Sequence, residues 1–508
     1  MQLSKETIKN ISPKPSLVIP DEKIFDLPEK ILQFGTGILL RGLPDYFIDK
    51  ANRQGIFNGR IVVVKSTSRD GTDFFDKQDG LFTLYVRGIE GGNKIDEAII
   101  ISSVSRVVSV KEEWKTILEC AHNPEIQVVI SNTTEVGIVS SEDNILSSPP
   151  YSFPGKLLAF LLERFKAFGG TAESGMVIVP AELIMGNGTK LHSVMLDLAG
   201  MKKLDDAFIN WLQTANQFFN SLVDRIVPGT LTKNDRQVTE KKLGYKDNLM
   251  IMAESFRLWA IESDSERVKQ ILSFTTTDEG AIIVSDIEKF RELKLRLLNG
   301  THTFSCGLAY LAGFDTVKEA MNDGEMSLYI RQLMMLEIAS ALEDETITYN
   351  EACAFANTVM DRFLNPFLDH QWLNITAQYS LKMKMRNIPL LLWHYSKKDQ
   401  PPERMALRFA AFLLFMKGSK NEQGRVTGQR NGTTYTIQDD NASWFAEKWG
   451  SENPDLVVDS VLGDKNFWCI DLTILTGFAD AVKNNMRSLM TNGVAQTLHR
   501  FQLNKLSV

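Results

Sequence analysis

Lys294, Asn299 and His302 combine residue types and a spacing that suit chemistry on a carbonyl group. An α-helix turns about 100° per residue, so these side chains fall at about 0°, 140° and 80° and can face one cavity. A lysine ammonium can donate a proton to a developing alkoxide, an amide N–H can polarise a carbonyl, and an imidazole can orient substrate oxygens. Together they predict a site that interconverts a carbonyl and an alcohol.

A structural interpretation of the same segment stays open. In that interpretation His302 is satisfied within a core and the charges around it are solvated. Leucines lie all round the helix between positions 293 and 298, which indicates that the helix is buried. A charge on a buried helix needs a partner or a function.

The segments that must position these residues begin with an alternating pattern in the first part of the chain. This alternation predicts a mainly parallel sheet with helices on both faces, a Rossmann-type α/β fold. The predicted strands are 29–37 with its terminal turn, 61–64, 81–86, 98–102, 126–131 and 176–180, and helical patterns stand at 112–120 and 156–168.

After about residue 290 the pattern changes to apolar residues at helical spacing. We therefore predict a dinucleotide-binding domain over 1–287 and a mainly α-helical substrate and catalytic domain over 288–508. The predicted helical segments are 291–314, 326–342, 350–364, 404–416 and 478–489.

Composition excludes several classes of protein. The chain has 508 residues, long enough for at least two domains, and its net charge of −7 disfavours nucleic acid and anionic membranes as partners. Its four cysteines have neither disulfide nor ligand spacing, so we expect reduced thiols, a cytoplasmic location and no metal site. We expect no signal peptide and no membrane span. The sequence does not determine an oligomeric state.

A glycine turn is the second candidate site. Gly35-Thr36-Gly37 follows the strand predicted within 29–37, and helical spacing continues from Arg41 to Ala51. Such a turn lets the backbone approach a pyrophosphate, which the helix N-terminus attracts. The third glycine of the complete motif is Leu40 here, so a plain structural turn is the alternative.

Polar stretches after two further strands bear on the cofactor. Ser131 to Glu135 supplies hydroxyls that can cap a helix or hydrogen-bond a nicotinamide ribose or carboxamide. The stretch after the second strand carries Lys65 and Arg69 but no acidic residue for the ribose hydroxyls. The choice between NAD and NADP therefore stays open.

The motif Lys294-x-Arg296-x-x-Asn299-x-x-His302 resembles the K-x-R-x-L-N-x-x-H signature of the polyol-specific long-chain dehydrogenases, the mannitol dehydrogenase family. The glycine turn with Arg41 resembles the cofactor motif of the same family. The resemblance spans nearly the whole chain and narrows to members that act on uronates, on the stretches LQFGTG (32–37), QDGLFT (78–83), SNTTEVGI (131–138), SFPGKL (152–157), PAELIMGNG (180–188) and LVDRIVPG (222–229).

The resemblance implies an NADH-dependent, reversible reduction of a uronate ketone without a metal. It makes Lys294 the general acid/base, Asn299 part of an oxyanion-stabilising pair and His302 a substrate-positioning residue. The residues that it implies for cofactor binding are Phe34, Gly35, Thr36, Gly37, Arg41, Asn132, Thr133, Thr134 and Glu135.

The chain departs from the family at the second oxyanion residue. The mannitol enzymes of the family place an Asn in a Cys-Asp-Asn stretch that reads Ala181-Glu182-Leu183 here. Leucine cannot donate a hydrogen bond, and Asn187 is the nearest substitute.

A uronate carries a terminal carboxylate, which needs a fixed cation. The family has a substrate-contacting Lys that we place at Lys382, and we expect Lys382 or Arg386 to bind the carboxylate. Reductases of epimeric uronates and mannitol dehydrogenases would share the catalytic residues, so the substrate stereochemistry stays open. A nucleotide-sensing protein without turnover is the less favoured alternative, because a sensor does not need all three catalytic side chains.

Overall fold

The computed structural model describes residues 1–66, 73–133, 137–139, 143–145, 147–451 and 453–506. The chain forms two compact units, Met1–Ile287 and Glu288–Val508. Within the described residues, no helix combines the length and the apolar character that crossing a membrane requires.

The first unit contains strands and helices in alternation. Its strands are β1 (Leu17–Val18), β2 (Glu29–Phe34), β3 (Arg60–Lys65), β4 (Phe82–Glu90), β5 (Asn93–Ile101), β6 (Val104–Ser109), β7 (Val128–Ser131), β8 (Val177–Pro180), β9 (Gln217–Phe218), β10 (Ser221–Asp224), β11 (Ile251–Ala253), β12 (Leu258–Glu262) and β13 (Ala281–Val284). Its helices are α1 (Ile38–Gly42), α2 (Pro44–Arg53), α3 (Asp73–Lys77), α4 (Trp114–Glu119), α5 (Phe153–Phe168), α6 (Asn187–Met201), α7 (Asp206–Thr214), α8 (Lys233–Leu243) and α9 (Glu266–Ile271).

Six strands form a fully parallel sheet in the order β6-β3-β2-β7-β8-β9. Numbered along the chain, this is the order 3-2-1-4-5-6 of the Rossmann fold. Neighbouring residues of one strand face opposite sides, so Ile31 belongs to one apolar cluster and Leu32 to another. The sheet is therefore buried on both faces, as the continuous apolar runs predict.

The predicted strands 81–86 and 98–102 exist but lie outside the parallel sheet. They form the antiparallel pair β4/β5 of a second sheet, in the order β1-β5-β4-β11. The third strand of the parallel sheet is β6, which the sequence pattern did not predict. Only Ser102 and Ser103 separate β5 from β6, so no helix marks the return of the chain to the sheet.

The predicted helix Arg41 to Ala51 is interrupted. Leu43 has φ −133° and ψ −75°, and it separates α1 from α2. Leu43 precedes Pro44, whose ring disfavours the helical conformation of the residue before it and whose nitrogen has no hydrogen to donate. The glycine turn is therefore followed by one short helix and then by a second, longer one.

The second unit is mainly helical around one large apolar core, with a small antiparallel sheet. Together with the parallel sheet of the first unit, this confirms the predicted fold class. Its α-helices are α10 (Glu288–Leu293), α11 (Thr301–Leu311), α12 (Val317–Asn322), α13 (Gly324–Gln332), α14 (Ala339–Leu342), α15 (Tyr349–Phe363), α16 (Trp372–Ile375), α17 (Tyr379–Lys382), α18 (Ile388–Lys397), α19 (Glu403–Phe415), α20 (Ala442–Lys448), α21 (Pro454–Leu462), α22 (Lys465–Trp468) and α23 (Phe478–Leu506). Its strands are β14 (Ser419–Lys420), β15 (Val426–Arg430) and β16 (Thr433–Thr436).

Three segments of the second unit are π-helices, in which each turn contains more residues than an α-helical turn. They are Lys294–Gly300, Leu333–Ile338 and Met383–Asn387. Each continues directly from an α-helix into another. π-Helical turns are rare and are concentrated at functional sites.

Asp45, in the first turn of α2, is a buried carboxyl group in the core of the first unit. Its two side-chain oxygens have no hydrogen-bond partner among the described residues. Burial raises the pKa of Asp45 to about 8, and the nearby Gln33 and Arg41 offset this only in part. Folded chains therefore hold a proton on Asp45 at neutral pH.

The charge state of Asp45 predicts that stability falls as the pH rises. The carboxyl group is protonated in the folded chain and ionised in the unfolded chain between about pH 4 and 8, so its contribution to the unfolding free energy falls by about 1.4 kcal/mol per pH unit. Between pH 6 and 8 we expect a loss of about 2 kcal/mol from this residue, measured by urea denaturation. Asp45→Asn cannot ionise and should show a flatter dependence; equal slopes for both proteins would contradict the prediction.

Candidate active site

The glycine turn lies at the carboxyl end of β2, in the centre of the parallel sheet. Gly35 has φ +126°, and a Cβ there would lie 3.0 Å from Leu40 Cδ1 and 3.1 Å from the Asn132 carbonyl oxygen. Only glycine fits this position. Gly37 is exposed, and a Cβ there would project into open space. The turn therefore leaves its backbone accessible to a bound group such as a phosphate.

The strand order of the parallel sheet reverses at β2, because β3 and β7 lie on its two sides. The carboxyl ends of β2 and β7 lie side by side, with Phe34 paired to Ser131. The Asn132 N–H donates to the Phe34 carbonyl oxygen at 3.3 Å. In open α/β sheets, ligands bind at such a switch point. The structure thus brings the glycine turn and Ser131–Thr133 together, whereas Thr134 and Glu135 lie outside the described residues.

Glu182, which follows β8, fixes this edge of the sheet and was not predicted as a site residue. Its buried carboxylate accepts hydrogen bonds from the Ser131 hydroxyl at 3.1 Å, the Thr133 N–H at 2.9 Å and the Thr133 hydroxyl at 3.1 Å. Burial raises the pKa of Glu182 in spite of these donors. Its position between Ala181 and Leu183, in the stretch aligned with Cys-Asp-Asn, is the sequence signal that could have found it.

The side chain of Asn187, which was predicted to bind substrate, is held by hydrogen bonds within the protein. Its buried side-chain N–H groups donate to the carbonyl oxygens of Pro180, Glu182 and Ser221, each at 3.0 Å. Its side-chain oxygen accepts from the N–H groups of Gly188 and Ser221. The amide is saturated by the protein, so we do not carry Asn187 into the proposed site.

The side chains of Arg41 and Phe34 are buried within the first unit. The Arg41 guanidinium is buried, donates to the Leu249 carbonyl oxygen at 2.7 Å and lies over the Phe82 ring. Burial lowers the pKa of Arg41. The Phe34 ring packs on Phe153 with their centroids 5.2 Å apart. The main chain of the turn is what remains accessible for a cofactor.

In the second unit, Lys294 and Asn299 lie at opposite ends of the π-helical segment Lys294–Gly300. Residues i and i+5 are one turn apart in a π-helix, whereas the α-helical spacing places these two side chains about 140° apart. The wider turn therefore brings the two side chains nearer to one face. Both are partly exposed.

Arg296, the buried arginine of the motif, joins two π-helical segments. Its guanidinium donates to the carbonyl oxygens of Met385 at 2.9 Å and Arg386 at 2.8 Å, in the segment Met383–Asn387. It also forms an ion pair with Glu292 at 2.8 Å. Arg296 therefore supports the second π-helical segment, and the motif contains a residue with structural contacts beside the residues predicted to be catalytic.

His302 lies on α11 in an aromatic environment. Its ring stacks on Phe363 with centroids 4.2 Å apart and meets Trp372 edge-on. Its Nε2 atom is buried and has no hydrogen-bond partner among the described residues. Burial, followed by the electrostatic effects of His370 and Arg362, lowers the pKa of His302 well below its usual range. The imidazole is therefore neutral at neutral pH and retains an unused nitrogen.

Lys382 and Arg386 lie near His302, and both add to the lowering of its pKa. Arg386 donates to the Thr303 hydroxyl at 3.2 Å, and Lys382 donates to the Ile375 carbonyl oxygen at 3.0 Å. Burial lowers the pKa of both cations, and Arg386 adds to the effect on Lys382. The second unit thus gathers positive charge around a neutral imidazole, which suits an anionic ligand.

The described residues contain no group of three or more His, Cys, Asp or Glu side chains arranged to hold a metal ion. The four cysteines are free thiols.

Family comparisons agree with both units. Residues 29–272 match the mannitol dehydrogenase Rossmann domain, and residues 286–490 match the mannitol dehydrogenase C-terminal domain. The chain therefore belongs to the mannitol dehydrogenase family, as the motifs predicted.

Curated relatives match along most of the chain. Altronate oxidoreductase of Bacillus subtilis (strain 168) is 36% identical over 479 residues, covering 93% of this chain and 95% of that protein. Altronate oxidoreductase of Halalkalibacterium halodurans is 34% identical over 487 residues, covering 94% of each. Altronate oxidoreductase of Escherichia coli O139:H28 is 36% identical over 482 residues, covering 93% of this chain and 96% of that protein.

Solved structures share the fold. Mannitol 2-dehydrogenase of Pseudomonas fluorescens, in a ternary complex with NAD and D-mannitol, has a TM-score of 0.65 and 24% sequence identity, with 99% of each chain covered. A substrate-free D-sorbitol dehydrogenase has a TM-score of 0.78 and 19% identity, with 98% of this chain and 100% of that chain covered.

The contacts of Arg296 predict a stability loss when its planar fork is removed. Arg296→Lys keeps the charge but cannot reach both carbonyl oxygens and Glu292 at once, so we expect the unfolding free energy to fall by roughly 1–3 kcal/mol in urea denaturation. Arg331→Lys, at an exposed position of α13, is the matched control and should stay within about 0.5 kcal/mol of the wild type. Equal effects of the two substitutions would contradict the structural role of Arg296.

Proposed function

We propose that this chain is an NAD-dependent altronate oxidoreductase, which reversibly reduces D-tagaturonate to D-altronate with NADH. The observation that carries the proposal is the identity of 34–36% to altronate oxidoreductases over nearly the full length of both chains. The catalytic motif of this chain is complete at Lys294, Asn299 and His302. We place the enzyme in the cytoplasm, because its four cysteines are free thiols, as is usual for proteins of that compartment.

The glycine turn fits a dinucleotide. The space beside Gly37 is open where a side chain would fill it, and the turn ends a central strand at the switch point of the sheet. The main chain of Gly35 to Gly37 would hold the pyrophosphate, and Asn132 and Thr133 would face the nicotinamide end. When bound, NADH supplies the hydride that reduces the substrate carbon.

Lys294 and Asn299 act on the substrate oxygen. In the reductive direction the Lys294 ammonium donates a proton to that oxygen as it becomes an alcohol, and in the oxidative direction the amine takes the proton back. The Asn299 N–H groups stabilise the negative charge that develops on the oxygen. The π-helical turn between these residues lets both side chains reach one atom.

His302 positions the substrate through its unused Nε2 atom. Burial against Phe363 and Trp372 keeps the ring neutral and fixed in orientation, so it can exchange a hydrogen bond with a substrate hydroxyl. A protonated ring at this position would add to the positive charge already present. The role proposed for His302 is therefore orientation, and the proton transfer belongs to Lys294.

Lys382 and Arg386 are the proposed anchors of the substrate carboxylate. Lys382 directly precedes the segment Met383–Asn387, and Arg386 lies near its end. Arg296 donates to two carbonyl oxygens of this segment. Burial disfavours the charged form of both groups and lowers their pKa values, and a bound carboxylate would stabilise the charged form again. This arrangement favours an acidic sugar over a neutral polyol.

A spectrophotometric assay tests the proposed function. The oxidation of NADH and NADPH is followed with tagaturonate, fructuronate and fructose side by side. We expect the highest kcat/KM with tagaturonate and NADH. A preference for fructuronate would assign the epimeric reaction, and a preference for fructose would overturn the uronate assignment.

The proton transfer assigned to Lys294 predicts a loss of turnover without a loss of cofactor binding. Lys294→Ala should lower kcat by about 100-fold or more, the contribution typical of a general acid. The dissociation constant of NADH, measured by fluorescence titration, should stay unchanged. Lys289→Ala, on the preceding α10, is the matched control and should retain activity. Rates near the wild-type value in Lys294→Ala would contradict the mechanism.

The charge assigned to Arg386 predicts a change in substrate discrimination. Arg386→Ala removes one cation and should raise KM for tagaturonate about tenfold or more relative to KM for fructose, since a hydrogen bond to a charged group is worth about 1.5–3 kcal/mol. Lys384→Ala removes a charge from the same segment and serves as the control. An unchanged ratio in Arg386→Ala would show that Arg386 does not bind the carboxylate.

A further inference from the structure

His370 is a second histidine beside the proposed substrate site, and neither the motif nor the family signature includes it. It lies near the end of the loop between α15 and α16. Its ring meets the His302 ring edge-on, with centroids 5.1 Å apart and an interplanar angle of 81°. His370 has an exposed surface, whereas His302 is buried. One side of the His370 ring therefore contacts the site residue, and the other is accessible to a ligand.

The main chain fixes the position of His370. The His370 carbonyl oxygen accepts a hydrogen bond from the Val317 N–H at 2.9 Å, and the Trp372 N–H donates to the Asp315 carbonyl oxygen at 2.9 Å. Thr316 and Gln371 pair between these two bonds. The main chain from His370 to Trp372 is thus anchored along residues 315–317, which fixes the position of the His370 ring beside His302.

The electrostatic surroundings of His370 are shared with His302. His370 keeps an exposed surface, but the protein packed around its ring removes part of the solvent. This desolvation, followed by the effects of Arg362 and Lys382, lowers the pKa of His370, and the same two cations act on His302. His370 is therefore a neutral hydrogen-bonding group beside positive charge. Such a group can donate a hydrogen bond to a carboxylate and adds no further positive charge to the site.

The length of the substrate makes the position of His370 significant. In tagaturonate the ketone is next to one end of the six-carbon chain, and the carboxylate is the other end. His302 serves the reacting end together with Lys294 and Asn299, so the carboxylate needs partners farther along the site. The His370 ring contacts the His302 ring, and Lys382, the proposed carboxylate anchor, acts electrostatically on both histidines.

We propose that His370 is a specificity-determining residue that donates a hydrogen bond to the substrate carboxylate, alongside Lys382. The proposal rests on the proposed function, since it assigns a partner to the carboxylate of that substrate. It extends the site from the helix that carries the motif to the loop before α16.

Paired ligands that differ only at the carboxylate test the proposal. D-Altronate and D-altritol share all hydroxyls along the chain, but altritol has CH2OH in place of the carboxylate. Their dissociation constants are measured by calorimetry with the NAD-loaded wild type, His370→Ala and His370→Gln. We expect His370→Ala to weaken altronate about tenfold or more and altritol less than about twofold, as for the loss of a hydrogen bond to a charged group. His370→Gln, which keeps an N–H donor, should recover part of the affinity.

Steady-state kinetics separate this role from mere support of His302. Loss of a carboxylate contact should raise KM for tagaturonate in His370→Ala with little change in kcat. A fall in kcat, or an equal loss of affinity for altronate and altritol, would show that His370 only supports His302 and would overturn the proposal. His122→Ala, at an exposed histidine of the first unit, is the control.

The two proposals fail in distinguishable ways. If the wild type binds altronate and His370→Ala binds it equally well, the role of His370 is wrong and the proposed function stands. If the wild type neither binds altronate nor reduces tagaturonate, the proposed function is wrong and the role of His370 falls with it.

Discussion

The wide turn of the helix from Glu288 to Leu311 is the constraint on which the proposed site depends. A π-helical turn has poorer backbone geometry than an α-helical turn and persists only where other contacts support it. Here the support comes from a second π-helical segment: Arg296 donates to two of its carbonyl oxygens, and Asn387 returns a hydrogen bond to the Gly300 carbonyl oxygen. The two irregular segments stabilise each other, and they carry or adjoin the proposed groups Lys294, Asn299, Lys382 and Arg386.

In the first unit, a buried carboxylate holds the residues beside the glycine turn in place. Residues that follow parallel strands must be held at the edge of the sheet, where the strand-to-strand hydrogen bonds end. Glu182 joins the end of β8 to the loop after β7 through Ser131 and Thr133, and Asn187 ties the same edge to β10. Hydrogen bonds of polar side chains thus join the loops that follow the strands, next to the glycine turn, where the backbone pairing of the sheet ends.

The sequence was informative about the fold where the local pattern decides the outcome. β3, β7 and β8 contain short apolar runs and β2 leads directly into the glycine turn, so all four were predicted. The strand β6 (VSRVVS) contains two serines and an arginine and follows β5 without a helix, so it was missed. Which sheet a strand joins is a tertiary property, and for that reason β4 and β5 were predicted as strands without their antiparallel pairing.

The residues of the candidate site also fall into two groups: those that a local sequence motif indicates and those that only the folded structure reveals. The motif indicated Lys294, Asn299 and His302, because their spacing along one helix is visible in the sequence. The sequence could not show that the Asn187 amide is saturated within the protein, because one of its partners, Ser221, is distant in the chain. Glu182 and His370 have no motif of their own, and only their neighbours in the folded chain give them a role. A single sequence does not show such neighbours.

The second sheet of the first unit has a consequence for how the chain folds as it is synthesised. Its central strand β4 pairs with β5 directly, but its other neighbour is β11, where Ile251 pairs with Leu84. The first residues of the chain are bound in the same late step, since Gln2 pairs with Lys246. Contacts between such distant segments form slowly. Most of the first unit must therefore be synthesised before Gln2 can pair with Lys246, and until then β4 lacks the neighbour that β11 provides and has an unpaired strand edge.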